Sequence, residues 1–198
     1  MVCASSFFLY NKSMRKVIFI LFSQLLLSQF SYADPTIPRY SRKFFKHWND
    51  ENRDCRNKRA EILKERSLKA VTYRASSRGE CTVKTGKWND YYFPEIQTSA
   101  SEVDIDHLIP LKNAWISGAY EWSDSERETF ANDSENLVIT YKKYNRQKGA
   151  QTPLTWAPVD RKYYCKYIRD WIRVKQKYQL KINPKILSYQ KAAGCSQE

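Results

Sequence analysis

Apolar and polar residues alternate in several short stretches of the chain, a pattern typical of β-strands with one buried face. The clearest case is 103–111, which begins with Val103 and Ile105 on one face and Asp104 and Asp106 on the other. Further short apolar stretches predict strands at 71–73, 81–88 and 136–140, with a turn at 76–79.

Helical periodicity is strongest in residues 159–178, where aromatic and aliphatic side chains form one stripe and cations fill much of the remainder. Shorter helices are predicted for four further stretches, residues 40–48, 54–66, 125–132 and 141–148. Asp54 is a suitable N-cap for the second of these, and Thr140 for the last. Gly149 can end the last helix because glycine tolerates positive φ. Together these elements predict an α+β fold.

The first 33 residues have the features of a secretory signal peptide. Met14-Arg15-Lys16 is a basic start, residues 17–27 are apolar except for two positions, and Ser31-Tyr32-Ala33 resembles a cleavage site. The alternative is a membrane anchor, but an anchor takes ~20 apolar residues. We therefore expect export to the periplasm or the exterior, with no stable membrane association after cleavage. Met14 is also a candidate for the true start, and residues 34–198 would form one domain.

The net charge of the chain predicts an anionic partner. Among 198 residues, 34 are Lys or Arg and 21 are Asp or Glu, giving a formal net charge of +13. Residues 1–33 contain three of the cations and no acid, so the mature chain has 31 basic residues, 21 acidic ones and a net charge of +10. An aromatic content of 15% excludes a disordered chain, and only five glycines exclude a collagen-like one.

Four cysteines remain in the mature chain, which predicts two disulfides in an exported protein. Three pairings are conceivable. We favour Cys55–Cys81 and Cys165–Cys195, because each closes a local loop. No C-x-x-C spacing occurs, which argues against a zinc site.

Candidate chemistry is concentrated around Asp106 and His107, at the end of the strand that starts at 103. Taken alone, the two residues could be an ordinary surface pair. In chain order, however, a strand with Asp-His is followed by a loop, a second strand starting at Asn136 and a short helix carrying Asn145. This order resembles the ββα-metal motif of the HNH endonuclease superfamily.

The nearer resemblance is to small exported HNH proteins of the DUF1524 group. It rests on D-I-D-H with Pro110, on Asn136-Leu137 and on N-R-x-K-G from Asn145, where Asn stands in place of the last His. The likeness extends from Asp54-Cys55-Arg56-Asn57 to Cys195. It departs at 91–94, where the family has a Gly-containing turn and this chain has Tyr-Tyr-Phe-Pro. The resemblance implies a ββα-metal core at about 103–149, with flanking helices and a small antiparallel sheet.

Each site residue has a chemical reason for its expected role. His107 is the expected general base, since imidazole titrates near neutral pH. Asp106 and Asn145 offer the hard oxygen ligands that suit one Mg²⁺ or, alternatively, Mn²⁺. By analogy with the motif, Asn136 would orient the loop. Asp104 shares a strand face with Asp106 and would either support the metal site or act as a structural cap.

Further cations are candidates for phosphate contacts, namely Arg56, Arg59, Arg146 and Lys148. The alternatives are ion pairs with Glu61 or Glu65 for the first two and a solvated helix face for the others. His47 beside Trp48 is expected to be a packed or exposed histidine and not a second base.

These features predict a metal-dependent endonuclease acting on DNA, and conceivably on RNA, with little sequence specificity. The alternatives are a non-catalytic basic protein for nucleic-acid binding or uptake, and a cationic antimicrobial protein. A binder would need none of Asp106, His107 and Asn145, which favours the enzyme. An inhibitor protein would be a further conceivable partner.

Overall fold

The computed structural model describes residues 36–75, 77 and 79–195. The predicted signal peptide lies outside these residues, as do Ser76 and Arg78 of the predicted turn. The chain from Pro38 onward forms one compact unit. No helix among the described residues is long and apolar enough to cross a membrane.

The described residues form a mixed α/β fold with two small antiparallel sheets. The strands are β1 Thr72–Tyr73, β2 Val83–Asn89, β3 Ile96–Ser99, β4 Val103–His107 and β5 Leu137–Tyr141. The α-helices are α1 Lys58–Glu65, α2 Leu111–Ile116, α3 Asp124–Asn132, α4 Lys142–Lys148, α5 Arg161–Lys177 and α6 Pro184–Ala192. Short 3-10 helices lie at Arg42–Phe44 and Ala119–Glu121.

The second sheet consists of β4 and β5 and carries the motif residues. The two strands pair antiparallel, with Val103 opposite Tyr141 and His107 opposite Leu137. Helix α4 starts directly after β5, so strand, strand and helix follow each other with α2 and α3 inserted between the strands. Val103 and Ile105 are buried in a core cluster shared with helix α1 and strand β2, as the alternation predicted.

Two disulfides join segments close in sequence. Cys55 is bonded to Cys81 and Cys165 to Cys195, with sequence separations of 26 and 30 residues. These are the pairings that the local loops favoured. The second bridge attaches the end of the described chain to α5, whose buried side includes Tyr167, Ile168 and Trp171.

Three predicted details were wrong. Residues 40–48 form only a single 3-10 turn, because Phe45 is extended and Trp48 has a φ of 66°. Helix α1 begins after Asn57 and not after Asp54, since Cys55 has a φ of 71°, which a helix excludes.

The third wrong detail concerns the start of α4. The Thr140 hydroxyl bonds to Asp90, so α4 has no side-chain cap. Gly149 ends that helix as predicted, with a φ of 50°.

Three of the strands and α-helices, namely α2, β3 and α6, were not predicted; α2 begins at Leu111, which was assigned to the strand predicted at 103–111. Strand β3 has one exposed face and one half-buried face, so apolar and polar residues do not alternate clearly along it. Helix α6 buries only Ile186 and Gln190, which leaves no apolar stripe for the sequence pattern to reveal.

Candidate active site

Strand β4 presents its functional side chains on both faces. Asp104 and Asp106 share the face toward α4, while His107 lies on the opposite face. Asp106 and His107 are 7% and 4% exposed, so both are almost withdrawn from water. Because burial of polar groups is unfavourable without partners, their contacts determine their chemical state.

His107 is a neutral imidazole with a defined tautomer. Its Nε2 lies 2.8 Å from the carbonyl oxygen of Ala131, at the end of α3. A carbonyl only accepts hydrogen bonds, so Nε2 carries the proton. Burial lowers the pKa of His107 to about 3, below the near-neutral range expected from the sequence, and the positive charges of Arg42 and Lys148 act in the same direction. The lone pair of the neutral ring is therefore on Nδ1, which makes no hydrogen bond among the described residues.

Two aromatic residues before helix α1 pack against His107. The ring centroids of His47 and Trp48 lie 5.8 and 5.9 Å from that of His107. The Trp48 amide donates to Asn132 Oδ1, and Asn132 Nδ2 donates to the Lys46 carbonyl. The end of α3 thus holds both His107 and the segment that covers it. The left-handed backbone of Trp48 is a conformation that bulky residues adopt only where their surroundings enforce it.

Asp106 is held by a buried lysine and a buried tyrosine. Its Oδ2 lies 2.8 Å from Lys148 Nζ and accepts a hydrogen bond of 2.7 Å from the Tyr92 hydroxyl. Lys148 Nζ also donates to the His107 carbonyl oxygen at 3.0 Å. Lys148 is fully buried, and this burial lowers its pKa, although the Asp106 carboxylate opposes the shift. Helix α4 is thereby tied to the end of β4.

Tyr92 reaches Asp106 because Asp90 shapes the turn before it. Asp90 Oδ1 accepts hydrogen bonds from the backbone N–H groups of Tyr92 and Phe93, at 2.8 and 3.0 Å. Its Oδ2 accepts the Thr140 hydroxyl at 2.9 Å. Burial raises the pKa of the Tyr92 hydroxyl, which therefore stays protonated and donates to Asp106. Tyr92 thus contacts the site, although it lies in residues 91–94, where the sequence departs from the family that it resembles.

Asn145 lies beside the other carboxylate of β4. Its Nδ2 donates to Asp104 Oδ2 at 2.9 Å. An amide that donates through nitrogen keeps its carbonyl oxygen available as a ligand. Asp104 thus supports Asn145 directly.

Asn136 connects the chain before β5 to the chain after β4. Its backbone oxygen accepts from the Leu108 N–H at 2.7 Å, and its Oδ1 accepts from the Ile109 N–H at 2.8 Å. Its Nδ2 is buried without a hydrogen-bond partner among the described residues. Asn136 thus joins the two segments through backbone and side chain, and its loop-orienting role stays a prediction.

The cations proposed as phosphate contacts mostly have partners within the protein. Arg56 pairs with Asp54 instead of Glu61 or Glu65. Arg59 donates to the carbonyls of Ala100 and Val103, at 2.8 and 3.0 Å. Lys148 is buried against Asp106, whereas Arg146 on α4 is exposed.

The sequence interpretation missed Tyr92 and assigned no role to Arg42 or His47. Tyr92 lies 14 residues before Asp106, and His47 lies 60 residues before His107, so no short spacing links them. Only the folded chain brings these side chains to the site.

The donors near β4 include carboxamide as well as carboxylate groups. Among the described residues, no group of three or more His, Cys, Asp and Glu side chains could hold a metal ion. Asp106 and the Asn145 side chain offer hard oxygen donors of the kind that Mg²⁺ binds together with water or substrate.

The fold and site define a disulfide-bonded α/β protein with a neutral, buried histidine next to a supported carboxylate. Residues 57–183 match the model of the C-terminal domain of GmrSD restriction endonucleases. The chain belongs to this family and is thus related to nucleases. It is also 38% identical over 145 residues to an uncharacterized secreted protein of Arthroderma benhamiae, which covers 72% of this chain and 68% of the relative. No solved structure matches the chain.

Proposed function

We propose that this protein is an exported, metal-dependent endonuclease of the HNH type that hydrolyses phosphodiester bonds of DNA. The observation that carries the proposal is the strand–strand–helix order in which Asp106 and a neutral His107 end β4 and Asn145 of α4 bonds to Asp104 of that strand, in a chain of a restriction-endonuclease family. RNA is a second substrate to be tested.

His107 would act as the general base. Its Nδ1 lone pair can take a proton from an attacking water, while the Nε2 bond to Ala131 keeps the ring oriented. Because the pKa of His107 is low, the ring is unprotonated before the reaction at any physiological pH. The developing negative charge at the phosphate would favour the protonated ring as the proton moves.

Asp106 and Asn145 would hold the metal ion. Tyr92 and Lys148 both contact Asp106 Oδ2, and no hydrogen bond among the described residues engages Oδ1. Together with the Asn145 carbonyl oxygen this donor set fits Mg²⁺, or Mn²⁺ in its place. A bound ion supplies polarisation of the scissile phosphate and stabilisation of the leaving 3′ oxygen.

Export is part of the proposal. The signal-like residues 1–33, the two disulfides and a relative described as secreted support it. Little sequence specificity is expected, since a net charge of +10 promotes contacts with the phosphate backbone, which do not read bases.

Plasmid cleavage by the purified mature protein tests the function. Cleavage should require Mg²⁺ and stop with EDTA. His107→Ala should lose ~10²–10⁴-fold in rate, the usual contribution of a positioned base. Asp106→Ala and Asn145→Ala should each raise the Mg²⁺ concentration required or abolish cleavage.

Thermal unfolding of each variant separates loss of chemistry from loss of fold. His107→Gln serves as a second variant, since it retains a hydrogen-bonding side chain. Near-wild-type cleavage by folded His107 variants would refute the assignment of the base. Wild-type cleavage that survives EDTA would contradict the metal mechanism, and DNA binding without any cleavage would favour the non-catalytic binder.

A further inference from the structure

A basic segment precedes helix α1, and we call residues 39–47 the basic arm. It contains Arg39, Arg42, Lys43 and Lys46 and no acidic residue. All four cations are exposed. None of the ion pairs among the described residues includes any of the four, so no carboxylate of these residues pairs with their charges.

The cations of the long helix α5 are in a different situation. Lys166 pairs with Asp170, and Lys177 pairs with Asp133 and Glu135. Arg173 also pairs with Glu135. Although α5 contains seven cations, more than any other described helix, three of them are paired with acidic residues of the protein. The basic arm is therefore better suited than α5 to bind an anion.

The arm is anchored and not a free tail. Phe45 is buried, and the ring of Phe44 stacks on Trp115 with centroids 4.9 Å apart. The Lys46 carbonyl and the Trp48 amide are both bonded to Asn132. These contacts fix the backbone from which the exposed cations project.

The arm also meets the candidate base. His47 Nδ1 lies 2.8 Å from the Phe45 carbonyl, so this nitrogen must donate and Nε2 must accept. Arg42 Nη2 lies 3.2 Å from His47 Nε2 and is its donor. Since the His47 ring contacts His107, one imidazole separates the Arg42 guanidinium from the catalytic ring. The remaining guanidinium N–H groups are available to a phosphate in the forked geometry that arginine prefers.

We infer that the basic arm binds the phosphate backbone of the nucleic acid and that Arg42, positioned by His47, binds the phosphate group facing His107. This inference rests on the proposed nuclease function and specifies how its substrate is held. The arm lies before residue 57, where the family match begins, so that match assigns it no role.

Matched charge variants test the arm. The triple variant Arg39→Gln/Lys43→Gln/Lys46→Gln removes three arm cations and leaves Arg42 and His47 in place. The control Lys162→Gln/Lys185→Gln/Lys191→Gln removes three exposed lysines of α5 and α6, with the same change in net charge. Binding to a short labelled DNA duplex is measured in EDTA over a range of salt concentrations.

We expect the slope of log K against log salt to become shallower by about two to three in the arm variant, since each phosphate that a cation neutralises adds ~0.9 to the slope. The control should keep the wild-type slope. Equal decreases in both variants would show a general charge effect and overturn the inference. So would an arm variant that binds DNA normally but no longer binds anionic phosphatidylglycerol vesicles.

Arg42 and His47 are tested by cleavage kinetics. Arg42→Gln should lower kcat about 10²-fold, the scale of removing one donor to a developing charge, and Arg42→Lys should be intermediate. His47→Phe keeps the ring contact but removes the acceptor, so it should lower kcat less than Arg42→Gln. A folded Arg42→Gln variant with wild-type kcat would refute this role while wild-type cleavage upheld the proposed function. A wild-type protein that neither binds nor cleaves nucleic acid would refute both.

Discussion

At the scale of single residues, two buried lysines show how partners determine protonation. Lys148 contacts a carboxylate, whereas Lys175 donates to two neutral oxygens, the Ser117 hydroxyl and the Lys181 carbonyl. Burial lowers the pKa of Lys175 to about 7, and no acid opposes the shift. Its environment therefore favours the uncharged amine more than ordinary lysine surroundings do.

Lys175 should make stability depend on pH. In the unfolded chain a lysine titrates near ~10.4, so between about pH 7 and pH 10 the unfolded state holds a proton that the folded state lacks. The contribution of Lys175 to the free energy of unfolding should rise by about 1.4 kcal/mol per pH unit in this window. Below about pH 7 Lys175 is protonated in both states, and the full free-energy cost of burying its ammonium group then lowers the stability of the fold.

Urea unfolding of the wild type and of Lys175→Met across this window gives the measurement. The difference between the two should shift in favour of the wild type as the pH rises. A difference independent of pH would contradict the lowered pKa.

At the scale of elements, the junction of β4 with α4 depends on one ion pair. Asp106 comes from the strand, Lys148 from the last turn of the helix, and Tyr92 from the loop after β2. Each side chain satisfies a buried polar group of another element. Removing one partner should therefore cost more than removing both.

Lys148→Met should destabilise the protein by ~3–5 kcal/mol, because it leaves the Asp106 carboxylate buried and uncompensated. The double variant Asp106→Asn/Lys148→Met should recover part of this loss. Arg146→Gln, an exposed change on the same helix, is the control and should stay within about 0.5 kcal/mol of wild type. A double variant no more stable than Lys148→Met in denaturant unfolding would contradict the coupling.

At the scale of the whole molecule, the two disulfides flank the motif residues in the sequence. Their loops, separated by 26 and 30 residues, leave the motif residues 104–148 outside. In the chain-entropy model each bridge stabilises the fold by ~3–4 kcal/mol through the unfolded state. The bridges should consequently affect stability without acting on the site chemistry.

Replacing Cys165 and Cys195 together by Ala should lower the free energy of unfolding by ~3–4 kcal/mol. Cleavage measured well below the melting temperature should remain near that of wild type. Loss of activity while circular dichroism still shows the native fold would contradict this prediction, because the bridge would then be needed for the chemistry of the site.

Local pattern alone determined several features. The alternation in β4 separated Val103 and Ile105 from Asp104 and Asp106, and Gly149 marked the end of α4. Such features depend on neighbours within a few residues, where side-chain period and backbone preference act directly. The disulfide pairing also followed from short loops.

Only the tertiary structure decided which partners the charged and polar groups have. Lys148 turned inward to Asp106, 42 positions earlier, and His107 found the Ala131 carbonyl on an inserted helix. The predicted helix at 40–48 became an anchored arm because Asn132, more than 80 residues away, holds its end. Hydrogen bonds and ion pairs between distant segments leave no periodic trace in the sequence, since any donor and acceptor that the fold brings within about 3 Å can satisfy each other.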